Sequence, residues 1–450
     1  MNFDLEAAAR ATGGRAHGTA APPSRIVTDS RLAGPGTAFV ALVGDKHDAH
    51  DFLDQVAAAG VDYVVATRVP AGWSTPWVEV PDTLVALQDL GRAVRRGFAG
   101  PVVGITGSAG KTTTRVLVME VLAALGRVHA TRGNLNNHVG VPLTLLALEE
   151  QPPAAALVLE MGMNHLGEIA LLQDIGAPTI RLVTNVGEAH VEGCGSIEGV
   201  AAAKQEMFDG ARAGDVCVVN LDDPWVAAMP VPVGARRLTY GQHPDADVRL
   251  VAVHIDPEAL TTHLRVETRD GAVESTLAVP GAHLAHNACA AVAVGLAAGV
   301  PRDGMGASLA RFQPEGMRNR VERIGALRLI DDAYNANPTS MEAALRLLAA
   351  LPAPRVAVLG DMLELGSVEA ESHVAVLALA RSLPIDAVHV TGPRMTRAAA
   401  SVPGVHVHAD APALADVLTD TLSPSTAVLV KGSRGARMER VSERLRGGGT

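Results

Sequence analysis

Cysteine is scarce in this 450-residue chain: there are three, Cys194, Cys217 and Cys289. Their odd number and wide spacing argue against a disulfide framework or a metal-type ligand pattern, and suit a reducing compartment. Aromatic residues make up only 3%, so Ala, Val and Leu have to fill the cores. Lys and Arg number 38 against 48 Asp and Glu, a formal charge of −10, which argues against a general nucleic-acid binder. Any recognition of polyphosphate must therefore be local. No run of about 18 apolar residues is available to span a bilayer; the Ala/Val-rich stretch 288–300 is too short. Residues 1–15 carry Asp4 and Glu6 and lack the apolar centre of a secretion signal. These absences predict a cytoplasmic chain that neither inserts in membranes nor binds nucleic acid.

What is present is a 48% apolar composition and enough length for two to four domains, since single cores rarely grow beyond about 250–300 residues. Apolar strand-like runs alternate with Ala/Leu-rich helical runs, which predicts an α/β chain with largely parallel sheets. Three blocks separate. Residues 1–98 hold a strand pair around Pro35-Gly36-Thr37, a helix over 51–59, a strand over 61–65 and a loop over 70–81 with two Trp. Residues 99–317 hold strands 155–160, 181–186 and 216–220, a small antiparallel patch within 244–280, and an Ala-rich helix over 285–298. Residues 318–450 hold strands 327–331, 355–359, 387–390 and 427–430. The Gly tail 447–449 reads as disordered.

The most specific signal is Gly104-Ile-Thr-Gly-Ser-Ala-Gly-Lys-Thr-Thr-Thr114, with an apolar strand before it and a helical run after it. In such a loop glycines let backbone N–H groups converge on phosphate oxygens at a helix N-terminus. Gly107, Ser108, Ala109, Gly110, Lys111, Thr112 and Thr113 form the cradle. Lys111 would reach the outer phosphates and the Thr112 hydroxyl a Mg²⁺. The strict spacing asks for Gly at 105, where Ile105 stands.

Ligands of open parallel sheets sit outside the carboxyl ends of strands, and several polar residues fall there. Glu160 ends one strand and is placed to hold Mg²⁺ beside a phosphate loop, or to cap a helix. His190 follows the next strand, as a ligand or as a plain loop residue. Lys204, from spacing alone, is a solvated helix lysine. Asn134, Asn136 and Asn137 crowd one loop, for substrate or for Asx turns. Asp331 to Pro338 ends a strand and caps a helix. The segments around Asp361 and around Lys431 and Ser433 read as a second substrate site or as ordinary turns. Ser30 and Arg31 suit a diphosphate or a surface turn.

Taken together and in order, these segments resemble the Mur ligase family over nearly the whole chain, and within it the branch that adds D-alanyl-D-alanine. The resemblance rests on Asp29-Ser30-Arg31 with Gly44 to Phe52, the phosphate loop, Asn134 to Pro142, Glu160 to His165, Thr184 to His190 and Ala201 to Glu206. It also rests on Asp331 to Pro338, Gly360 to Gly366 and Lys431 to Gly435. The Ile105 departure is ordinary in that family. The Asp-Asn-Pro-Arg signature of the diaminopimelate-adding branch is absent.

The resemblance implies three domains: an N-terminal α/β domain for a UDP substrate (1–98), a central P-loop ATPase domain (99–317) and a C-terminal Rossmann-like domain for the incoming dipeptide (318–450). It implies ATP and two Mg²⁺, with Glu160 and His190 holding the second ion and Lys204 carbamylated by CO₂. Asn287, Arg320, Asp331, Tyr334, Asn335 and Asn337 would contact the nucleotide, although the family's usual His-Asn pair reads His283-Leu284 here. The implied activity is ATP-dependent ligation of D-alanyl-D-alanine to UDP-N-acetylmuramoyl-tripeptide through an acyl phosphate, by a monomer, for peptidoglycan synthesis. The alternatives are a sibling amide ligase, such as a folylpolyglutamate synthase, or a P-loop switch that ligates nothing.

Overall fold

The computed structural model describes residues 3–447. It is a mixed α/β chain with three sheets. The chain divides into two compact units. The first takes residues 1–104, 125–162 and 168–179; the second takes 105–124, 163–167 and 180–450.

The first unit contains a five-stranded sheet in the order Arg15–His17, Trp77–Glu79, Tyr63–Ala66, Thr37–Val40, Arg25–Val27. Only the first pair is antiparallel. Side chains alternate faces along these strands, and both faces are covered. Ala38, Val40, Tyr63 and Val65 meet Leu87 and Leu90 of the helix Thr83–Gly97. Phe39, Val64 and Ala66 meet Leu53 and Val56 of the helix Leu53–Ala58. Parallel strands buried on both faces read as continuous apolar runs, which is why these interior strands were visible in the sequence. Trp77–Glu79 was not: residues 70–81 were expected to be a loop. The strand has three residues between Pro76 and Pro81, too few to show an alternation, and Trp77 stacks on His17 at 4.5 Å. Asp82 caps the helix Thr83–Gly97 by accepting from the N–H groups of Leu84 and Val85. At the far end Arg95 closes the chain onto the carbonyls of Gly176 and Ala177. The parallel pair Val128–Ala130 and Ala156–Glu160 also lies in this unit.

In the second unit the parallel strands Ile180–Val183, Val216–Asn220 and Arg236–Gly241 lie side by side. They lead into the antiparallel strands Val248–Asp256, Thr261–Thr268 and Gly271–Leu277, the small patch expected within 244–280. The Ala-rich helix Ala282–Ala297 packs on the helix Lys111–Leu122. Gly295 makes that approach possible, since a Cβ there would lie 2.5 Å from Val121.

The six-stranded sheet follows: Arg320–Ile324, Leu327–Asp332, Ala427–Lys431, Arg355–Leu359, Ala387–Thr391, Val405–His408. Its first pair is antiparallel and the rest are parallel. The central strand Ala427–Lys431 has earlier strands on both sides, so the connections diverge there and open a crevice at the carboxyl ends. Asp332, Lys431 and Gly360 all sit at those ends. The two edge strands carry Arg320, Glu322 and Arg323 or His406 and His408 in place of an apolar run. Gly447 closes the helix Glu439–Gly447; the rest of the glycine tail, Gly448 and Gly449, lies outside the described residues. Among the described residues no helix is long and apolar enough to cross a membrane.

Candidate active site

The buried strand Val102–Thr106 runs into the turn 107–110 and the helix Lys111–Leu122. Two glycines make the turn. Gly107 has φ +148°, and a Cβ there would fall 1.8 Å from Thr184 Oγ1. Gly110 has φ +79° and caps the helix, its α-carbon facing Asn287, whose Oδ1 would lie 3.0 Å from a Cβ. The turn is held from outside. Thr184 Oγ1 and Asn185 Nδ2 donate to the Ala109 carbonyl at 2.7 and 3.1 Å, and the Ala109 N–H donates to Asn185 Oδ1. Ser108 exchanges hydrogen bonds with Gly187, and Asn337 Nδ2 donates to the Ser108 carbonyl at 3.1 Å. With its carbonyls thus engaged, the turn presents the first-turn N–H groups of the helix, which have no acceptor within that helix. Thr112 and Thr113 are buried there, and Lys111 Nζ bonds the Gly107 carbonyl at 2.6 Å.

Lys204 lies in the same unit on the helix Ile197–Asp209, which Ser196 caps. The structure overturns the solvated reading taken from spacing: Lys204 is 1% exposed. Burial and the charge of Lys111 push its pKa well below the usual ammonium range, opposed by the Cys194 thiol. Burial at this position thus disfavours the ammonium form relative to the neutral amine. His190 stands in a left-handed backbone before the short helix Val191–Cys194. Its Nδ1 lies 2.8 Å from Glu364, and the ring beside it holds the Glu364 carboxyl below its ordinary range.

The C-terminal polar residues gather at the sheet crevice. Lys431 is buried, 2.5 Å from Asp332, and donates to the Asn335 carbonyl. Asp332 also accepts from the Asn319 N–H, and Asn319 Oδ1 meets His283 Nε2 at 2.9 Å. Asp331 is fully buried; Arg446 reaches one oxygen at 2.5 Å and the other has no hydrogen-bond partner. Arg318 stacks over the Tyr334 ring at 3.5 Å, and Arg320 pairs with Glu322. Asn337 caps the helix Pro338–Ala350 in a capping box with Ser340. Asp361 accepts from the N–H groups of Arg394 and Met395. Ser433 Oγ joins the Leu363 N–H to the Ala336 carbonyl.

In the first unit, Asn136 Nδ2 donates to Glu160 at 2.9 Å, and Glu160 is buried at its strand end. Asn137 accepts from the N–H groups of Val139 and Gly140, and Asn134 is exposed. Ser30 and Arg31 sit in a single 3-10 turn, with Arg31 exposed and forked onto Asp29.

Sequence reasoning passed over Asn185, Asp332 and Glu364. All three stand inside segments that had been singled out, and their bonds to backbone or to a neighbouring charge gave no separate signal. Among the described residues no three His, Cys, Asp or Glu side chains gather into a metal cage. The glycine turn and the Thr112 hydroxyl fit a Mg²⁺ held in part through nucleotide phosphates.

Phosphate turn, buried lysine and C-terminal crevice define an ATP-dependent ligase. Residues 105–295 match the Mur ligase middle domain, and residues 319–434 the Mur ligase glutamate ligase domain. The chain belongs to the Mur ligase family. It is 37% identical to the UDP-N-acetylmuramoyl-tripeptide–D-alanyl-D-alanine ligase of Escherichia coli K12, over 94% of each chain. The enzyme of the same name from Bacillus subtilis is 35% identical, over 93% of this chain and 92% of that one. Among solved structures, MurF from Acinetobacter baumannii superposes with a TM-score of 0.92 at 31% identity, over 99% of both chains. MurF of Thermotoga maritima in complex with ADP superposes at 0.86 and 29% identity, over 94% of this chain and 97% of that one.

Proposed function

We propose that this chain joins D-alanyl-D-alanine to UDP-N-acetylmuramoyl-tripeptide at the expense of ATP, yielding the UDP-muramoyl-pentapeptide used in peptidoglycan synthesis, with ADP and phosphate. The end-to-end identity to ligases of that name carries the reading. Joining a carboxylate to an amine in water is uphill. The tripeptide carboxylate first attacks the γ-phosphorus of ATP, forming an acyl phosphate and releasing ADP. The dipeptide amine then attacks the acyl carbon, phosphate leaves, and the amine loses a proton.

Phosphoryl transfer asks chiefly for positioning and neutralisation. In this reading the turn 107–113 binds the ATP phosphates, with Lys111 swinging from the Gly107 carbonyl to the outer phosphates. Asn287, Arg320, Asp331, Tyr334, Asn335 and Asn337 orient the nucleoside. Ser30, Arg31, Asn134, Asn136 and Asn137 take the UDP substrate, and Asp361, Lys431 and Ser433 the dipeptide. Thr112, Glu160, His190 and a carbamylated Lys204 would hold two Mg²⁺, which when bound lower the repulsion among the anionic reactants. The burial of Lys204, which disfavours its ammonium form, supports the carbamate: the neutral amine adds to CO₂ and loses one proton, leaving an anionic oxygen donor.

The domain assignment follows the same reading: 1–98 for the UDP substrate, 99–317 for ATP and 318–450 for the dipeptide, in a cytoplasmic monomer. The test offers the purified chain UDP-muramoyl-tripeptide and ATP with D-alanyl-D-alanine, with single amino acids, or folate with glutamate, and follows phosphate. Release is expected with the dipeptide pair alone. Release with folate and glutamate points to a sibling ligase, and release indifferent to acceptor to a non-ligating ATPase.

A further inference from the structure

Six non-glycine residues of the described chain have a left-handed backbone, and two of them, His190 (φ +61°) and Glu364 (φ +64°), face each other. Backbone of that kind in side-chain-bearing residues persists where surrounding contacts hold it, and it clusters at functional sites. His190 Nδ1 is closed off from solvent and has no hydrogen bond, yet Glu364 Oε2 lies 2.8 Å from it. The carboxylate is thus at contact distance but off the N–H axis, and a small ring rotation makes the bond.

The surrounding contacts bring the same two segments together. The Glu192 N–H meets the Glu364 carbonyl at 3.4 Å, and Ser372 donates to the Glu188 carboxylate at 2.7 Å. Gly366, at φ +55°, lets the backbones approach; a Cβ there would lie 2.9 Å from Glu192 Cα. Glu364 therefore does not meet His190 as a wandering surface side chain. A fitted strip between segments 187–192 and 364–372 delivers it.

We propose that Glu364 is a positioning residue for His190: accepting from Nδ1–H, it fixes the ring's tautomer and orientation and leaves Nε2 as the free lone pair. A carboxylate behind a histidine acts this way by fixing the ring and raising its basicity. Glu364 shares its turn with Asp361, so seating the 360–366 segment and setting the His190 ring become one event. The contact stands on its own geometry; the consequence for turnover rests on the ligase reading given above.

Long-range ¹H–¹⁵N ring spectra of the full chain test this directly, beside steady-state kinetics and thermal melts. Wild type is expected to hold His190 as the Nδ1–H tautomer. Glu364→Leu, of similar size, should release the ring to a mixture and lower kcat about 10–100-fold, with KM for ATP within about threefold. Glu364→Gln keeps an acceptor and should retain the tautomer and most of kcat. Ser372→Ala, which removes a neighbouring strip contact, should leave the tautomer alone. An Nε2–H or unresponsive ring, or a Gln variant indistinguishable from Leu, overturns the proposal. So does a loss of activity in the Leu variant that tracks melting temperature while the ring is unchanged. A ring that responds as expected in a chain that ligates no substrate leaves the positioning role standing and removes the ligase reading.

Discussion

Lys204 shows what a single side chain reveals and conceals. Its neighbours on the helix, Val200, Ala203, Met207 and Phe208, are all buried, at the three- and four-residue spacings of an apolar stripe. Lys204 sits in that stripe, so the periodicity already pointed inward; the charge of the residue type argued the other way. Its amine binds a proton less readily folded than unfolded, where the reference pKa is 10.5. The unfolded chain therefore carries the extra proton, and stability rises with pH between the lowered folded value and about 10.5. In CO₂-free buffer Lys204→Met should be more stable than wild type at neutral pH and flatten that slope in denaturant titrations. A slope as steep as wild type's would contradict the buried ammonium penalty. The same position should be indispensable to turnover. Lys204→Ala is expected to lose ligation by about 10²–10³ or more and to recover part of it with a short carboxylic acid, as measured by phosphate release. The glycine turn, by contrast, was legible residue by residue, because backbone conformation at Gly107 and Gly110 restricts the residue type directly.

Whole elements were legible in proportion to their burial. Most interior parallel strands are largely apolar and were placed to within a few residues. The edge strands Arg320–Ile324 and Val405–His408, and the short Trp77–Glu79, were missed because an element half open to water needs no apolar run. Two predictions belong here. Asn337 both caps the helix Pro338–Ala350 and bonds the Ser108 carbonyl. Asn337→Ala should cost about 1 kcal/mol for the lost cap and weaken nucleotide binding. Asn337→Asp keeps the cap oxygen but turns a carboxylate oxygen toward the Ser108 carbonyl, so it should retain the chemical-denaturation midpoint and still bind ADP less tightly by calorimetry. If Asp binds ADP as wild type does, the Asn337–Ser108 bond does not shape the turn. At the opposite edge, His389 stacks against His406 and His408, with 3.0 Å between His389 Nδ1 and His408 Nε2. Burial first, and then the two neighbouring rings, bring the His389 pKa down to about 4. The unfolded chain takes up this proton nearer 6.5, so stability should fall as pH drops from about 6.5 toward 4. His389→Gln should make that acid limb shallower in melts taken across the range.

At the scale of the molecule, the residues proposed to bind ligands divide between two units: the phosphate turn and C-terminal crevice belong to the second, and Ser30, Arg31 and the asparagine loop to the first. Ligands should therefore stabilise them unequally. ADP with Mg²⁺ at a hundred times its Kd adds about 2.7 kcal/mol to whatever binds it. Scanning calorimetry should show ADP raising the transition of the second unit more, and the UDP-tripeptide that of the first. Equal shifts of the whole trace under either ligand would mean that the chain melts as one cooperative body. The sequence reading drew three consecutive blocks, because composition and motifs are met in chain order, whereas packing in space is blind to that order. Each unit is stitched from three separate stretches of chain. This has a consequence for synthesis. The ribosome finishes the phosphate-turn helix at Leu122, yet the helix it packs on begins only at Ala282. At about 5–20 residues per second, that segment waits on the order of 8–32 s for this partner, with Leu117, Val118 and Val121 still uncovered by it. During that interval the nascent chain offers chaperones an apolar helix face that the finished protein conceals.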